Sequence, residues 1–141
     1  MKRFRIALLL TFAVLFVTQA HAQFGYKHTY DTIDGIAISY KWSHAKWWNK
    51  SSPLQLRFKI KNTNDYPAKI SFELVYMLDY VVKFKSGDME SKLNSGRTIS
   101  GKLNGYYFES ENLSNEEIES DVFSWDFLHF DVTKIDESQL E

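Results

Sequence analysis

The sequence predicts an all-β chain, a single antiparallel β-sandwich of about seven strands with at most one short helical turn. Several stretches alternate apolar and polar residues with period two, and none sustains a helical period over three turns. Asn-, Asp- and Gly-containing turns punctuate the alternation.

In the first predicted strand, Ile36, Ile38, Tyr40 and Trp42 alternate with Ala37, Ser39 and Lys41. In the second, Leu54, Leu56, Phe58 and Ile60 face one way and Gln55, Arg57, Lys59 and Lys61 the other, the pattern of a strand with one face in the core and one in water. Asn62 to Pro67 makes the turn. A third strand is expected from Lys69 to about Phe84, with Ile70, Phe72, Leu74, Tyr76 and Leu78 on one face and Val75 and Met77 on the other, buried on both sides midway.

Beyond Ser86-Gly87-Asp88, a strand is expected from Met89 to Leu93 and another from Arg97 to Leu103, either side of a turn at Asn94-Ser95-Gly96. Asn104-Gly105 reads as a type I′ hairpin turn returning the chain through Tyr106, Tyr107 and Phe108. Ser114-Asn115-Glu116-Glu117 has the spacing of a capping box, which places one or two helical turns over Leu113 to Glu119. The last strand, Val122 to Ile135, changes phase. Phe123, Trp125 and Phe127 are odd-numbered, whereas Leu128, Phe130 and Val132 are even-numbered, so a bulge at Phe127-Leu128 or a bend between sheets is required.

The succession Leu56-Arg57-Phe58-Lys59-Ile60-Lys61-Asn62, a short polar turn, Ile70-Ser71-Phe72-Glu73-Leu74-Val75-Tyr76 and then Gly101-Lys102-Leu103 leading into aromatic residues resembles small exported immunoglobulin-like sandwiches of the FxLYD type. The resemblance covers roughly residues 54–108 and stands at the level of fold. It implies an immunoglobulin-like sandwich that works as a binding or assembly module, and it carries no catalytic residue.

Residues 1–22 have the three parts of a secretory signal: Lys2, Arg3 and Arg5, then 12 uncharged apolar residues from Ile6 to Val17, then Ala20-His21-Ala22 as the cleavage site. The apolar run is well short of the ~20 residues that cross a bilayer as a helix. Cleavage after Ala22 is therefore expected, with a periplasmic or secreted destination and no membrane span afterwards. With no cysteine the chain has neither a lipoprotein anchor nor a disulfide, so burial alone must stabilise it. The expected division is 1–22 signal peptide, 23–35 N-terminal extension, 36–136 sandwich domain and 137–141 C-terminal tail.

Without the signal's three basic residues, 14 Lys+Arg face 18 Asp+Glu. Residues 23–108 hold 13 basic and 7 acidic residues, whereas 109–141 hold 11 acidic residues and only Lys134. The simple expectation is that the C-terminal strand lies beside the basic strand around Arg57, Lys59 and Lys61; the alternative is a partner-binding patch. No concentrated Lys/Arg stripe suggests nucleic acid as a partner.

The densest unusual cluster is Trp42-Ser43-His44-Ala45-Lys46-Trp47-Trp48-Asn49-Lys50, between the first two predicted strands. Strand parity assigns Trp42 to the core. Large aromatics are buried on average, so Trp47 and Trp48 are expected to cap one end of the sandwich. Exposed, they would stack on sugars or dock into a partner's pocket, with His44, Lys46 and Asn49 supplying hydrogen bonds. Tyr106 and Tyr107 could extend that surface if their hairpin lies beside the loop. The expected partner is thus an unidentified protein or a glycan.

For catalysis, the sequence offers no nucleophile with a base, no phosphate-cradling glycine loop and no cofactor motif. His129 with Asp131, joined by Asp126 if a bulge reverses the phase, is a conceivable metal trio, although solvated strand positions explain these residues more simply. Asp31 and Asp34 lack the further oxygens of a calcium loop. No catalytic residue, metal or cofactor is therefore assigned at this level.

Overall fold

The computed structural model describes residues 25–140. The signal segment, including the cleavage site at Ala22, lies outside the described residues. Among the described residues nine strands form two antiparallel sheets: β1 His28–Ile33, β2 Ile36–His44, β3 Leu54–Asn62, β4 Ala68–Leu78, β5 Val81–Lys85, β6 Met89–Leu93, β7 Thr98–Ser100, β8 Tyr107–Phe108 and β9 Phe123–Lys134. The first sheet runs β1-β2-β3, and β7 and β8 both pair with the remaining edge of β3. The second is centred on β4, which pairs with β5, β6 and β9.

Two strands beyond the expected seven come from turns. Asp34-Gly35, both at positive φ (45° and 77°), closes a hairpin that makes β1 a strand where an extension was expected. Asp79 and Tyr80, also at positive φ (50° and 63°), fold the long third strand back on itself as β4 and β5. The expected strand of 16 residues would span about 53 Å at the usual rise, too long for a domain this small.

The Asn104-Gly105 expectation is corrected too. Lys102–Asn104 is a 3-10 turn capped by Gly105 in the left-handed region, and β7 and β8 pair with β3, not with each other. A second 3-10 turn, Glu137–Gln139, occupies the expected tail. With α1, Asn115–Ile118, that makes three short helical turns among the described residues, where at most one was expected. The capping box of α1 forms as read: Ser114 Oγ accepts from the Glu117 N–H at 3.2 Å and the Glu117 carboxylate accepts from the Ser114 N–H at 2.8 Å.

The phase break in β9 is a bulge. Glu73 pairs with His129 and Leu74 with Phe127, leaving Leu128 unpaired and exposed. Phe123, Trp125, Phe127, Phe130 and Val132 can then all pack against the core. That core is the inner faces of β2, β3 and β4, with Ile36, Leu56, Phe58, Ile60, Ile70, Phe72, Leu74 and Tyr76 fully buried. Val75 is buried on the opposite face of β4, as the sequence pattern suggested.

The β9 strand lies beside β4 and not beside the basic strand β3, so the expected pairing of acidic and basic halves does not occur. On β3, Arg57 donates to Gln55 Oε1 at 2.9 Å and to the His44 carbonyl at 3.1 Å, while Gln55 donates to Glu109 at 2.7 Å. The first sheet also closes onto the second through Tyr30 of β1. Its ring lies 5.4 Å from Trp125 and 5.1 Å from Phe127, and its hydroxyl donates to Asp126 at 2.6 Å.

Candidate functional site

The β2–β3 connection is a short braced platform. Within it the Ala45 N–H donates to the Pro53 carbonyl at 2.8 Å and the Asn49 N–H to the Lys46 carbonyl at 3.0 Å. Ser52, a buried polar residue, accepts from the Lys46 N–H at 3.0 Å and donates to the Asn49 carbonyl at 2.6 Å. The base of the loop is held from outside by Asn115 of α1, which donates to the Ser52 carbonyl at 3.1 Å and accepts from the Leu54 N–H at 2.9 Å.

On this frame Trp47 is 84 % and Trp48 68 % exposed, so the expectation that they cap the sandwich is overturned. The two indoles meet edge to face at 5.7 Å and 85°. Trp42 behaves as its parity required, packing its ring against Tyr76 and Phe123. Two of the proposed hydrogen-bonding partners are already engaged in the loop: His44 Nδ1 contacts the Ser52 carbonyl at 2.9 Å, and Asn49 Oδ1 accepts from the Ser51 N–H at 2.9 Å. Lys46 lies on the exposed side.

The second aromatic run divides. Tyr106 is buried, with its hydroxyl on Ser91 Oγ, and burial holds its pKa above the usual tyrosine value, so it is a core residue and no part of a binding surface. Tyr107 is exposed. Lys102 links it to the tryptophan loop, since its ammonium donates to the Ala45 carbonyl at 2.9 Å and stands 5.8 Å from the Tyr107 ring centre. Leu103 beside it is 97 % exposed. The adjacency that would join Tyr107 to the loop is therefore met through one cation.

Sequence reasoning missed the flank of the loop. A cleft of about 560 Å³ lies between His44, Lys50, Ser51 and Pro53 on one side and Leu113 to Glu116 with Glu119 on the other. The capping box announced the helical turn, but nothing in the spacing shows that α1 docks against a loop more than 60 residues earlier in the chain. Nor does the structure assemble His129, Asp131 and Asp126, which the sequence offers as a conceivable trio and explains more simply as solvated strand positions. Asp126 accepts from Tyr30, Asp131 pairs across the ladder with Ser71, and His129 stands instead beside Asp88, 3.7 Å from its carboxylate.

Compared with known proteins, the chain matches no family model, no curated protein and no solved structure.

Proposed function

We propose that this protein is an exported, non-catalytic binding module whose contact surface is the β2–β3 loop, with Trp47 and Trp48 as anchors that enter an apolar pocket on a partner protein of the cell envelope. The exposure of both indoles on a hydrogen-bonded loop carries the reading. Tryptophan dominates binding hot spots, and a loop already fixed by Ser52 and Asn115 loses little freedom when it docks. Support for an immunoglobulin-like module comes from the pairing of β3 with β2 and β7, and of β4 with β9, across two sheets. Export rests on residues 1–22.

Glycan binding is the second reading, favoured by the two exposed indoles themselves. It is weakened by their edge-to-face packing, and by the hydrogen bonds that His44 Nδ1 and Asn49 Oδ1 already make within the loop. The test uses immobilised parent protein and a Trp47→Ala/Trp48→Ala variant, exposed to envelope proteins of the native host and, separately, to a glycan panel. A discrete protein retained by the parent and weakened at least about 30-fold in the variant, equivalent to about 2 kcal/mol, with an unchanged melting temperature, supports the reading. Saturable sugar binding that is lost in the variant moves the assignment to the glycan. A partner retained equally by both proteins removes the loop from the interface.

A further inference from the structure

Three separate segments bring an imidazole and two carboxylates together on the outer face of the second sheet. Glu73 lies in β4, His129 lies directly across the ladder in β9, and Asp88 arrives from the connection between β5 and β6. Their potential ligand atoms all lie within 4.8 Å of one another.

The placement follows from two local devices. In a regular β4–β9 ladder, Leu74 opposite Phe127 would put Leu128 opposite Glu73; the bulge sets Leu128 aside and brings His129 to that position. Bulges re-aim side chains in this way. The β5–β6 connection is fastened one residue away: the Ser86 N–H donates to the Leu74 carbonyl at 2.9 Å, and the Leu74 N–H donates to Ser86 Oγ at 2.9 Å. Gly87, at a φ of 71°, then turns the chain so that Asp88 faces the Glu73–His129 pair.

The charge at this spot is unbalanced. Among the described residues the ion pairs are Lys69–Glu90 and His129–Asp88, so no Lys or Arg neutralises Glu73 or Asp88 within 4.0 Å. Two carboxylates gathered around an imidazole nitrogen form the mixed N/O donor set that a borderline divalent cation accepts. Calcium and magnesium, which prefer oxygen alone, match it less well.

We propose that Glu73, Asp88 and His129 form a divalent-cation site that takes zinc in preference to calcium. Zinc–ligand bonds of about 2.0–2.2 Å put tetrahedral ligands about 3.3–3.6 Å apart, so a trio whose ligand atoms already lie within 4.8 Å has little distance to close around an ion. Asp88, whose side chain is 88 % exposed, has the freedom to make that movement. Three protein ligands leave at least one position for water. The bound ion ties β4, β9 and the β5–β6 connection together, and it lies on a different sheet from the aromatic loop.

The test is isothermal titration of untagged, EDTA-treated protein with zinc chloride and, separately, calcium chloride, with melting temperature followed in parallel. The expected result is one zinc per chain, a zinc-dependent rise in melting temperature and no comparable calcium heat. His129→Ala and Asp88→Asn should each weaken zinc more than about tenfold, since losing even a residue that only hydrogen-bonds to a metal ligand costs that much. Asp88→Asn, at an exposed position, should melt like the parent in EDTA and so separates ligand loss from misfolding. His28→Ala, at an exposed histidine outside the trio, should bind as the parent does. The site is overturned by an absence of saturable uptake, or by uptake that survives both Asp88→Asn and His129→Ala; equal calcium binding overturns its selectivity.

Discussion

The phenol of Tyr30 stands between a carboxylate and two aromatic rings. Burial, then the hydrogen bond to Asp126 and the nearby charges of Asp126 and Asp31, push its pKa up to about 12. The folded state therefore keeps a proton that the unfolded chain gives up near the ordinary tyrosine value. Unfolding releases that proton between pH 10 and about 12, so the stabilisation is complete below this window and disappears as pH rises through it. Chemical denaturation at a series of alkaline pH values should show stability falling across the window, with a shallower fall in Tyr30→Phe and in Asp126→Asn. An identical slope in all three would mean that the buried tyrosines Tyr76 and Tyr106 carry the whole effect. Parity along a strand revealed which way Trp42 and Phe58 point because the backbone fixes it. No such rule governs a loop, so the exposure of Trp47 and Trp48 was beyond reach of the pattern. Tyr106 and Tyr107 are neighbours with opposite fates, and sequence showed only that they must differ.

Turns decide the elements. Where turn chemistry follows residue type it could be read: Ser114 and Glu117 announced α1, and the change of parity around Leu128 announced the bulge. Asp34-Gly35 has a strong hairpin signature, but the polar run His28 to Asp31 concealed the strand leading into it. The β4–β5 turn had no such signature, because Tyr80 is an aromatic residue held at a φ of 63° and almost wholly exposed. The left-handed region costs a side-chain-bearing residue about 1–2 kcal/mol, and a glycine returns part of that gain through unfolded-state entropy. Tyr80→Gly should therefore raise stability by about 0.5–1 kcal/mol in urea denaturation. A loss of stability would show that the exposed ring makes a contact that outweighs the strain.

At the scale of the whole molecule, composition and alternation specified the inner faces almost residue by residue, and they did not specify which strand lies beside which. Apolar faces are interchangeable to first order, and charge complementarity between Lys59 or Lys61 and the acidic C-terminal strand holds no information about sheet membership. The centre of the packing is Phe72, in ring contact with Tyr106, Phe108, Phe127 and Phe130 and so touching both sheets. Phe72→Ala should cost about 3–5 kcal/mol, read from denaturant midpoints. A cost below 1 kcal/mol would mean that the neighbouring rings refill the space.

The Tyr30 seam also bears on behaviour in solution. Among the described residues β9 runs 12 residues along the border of its sheet and pairs only with β4, which leaves its other side as a template for a further strand. Tyr30 of β1 occupies the approach to that border through its contacts with Trp125, Asp126 and Phe127. A side chain placed there stands in the way of a second copy of β9, and a chain without it should associate with itself more readily.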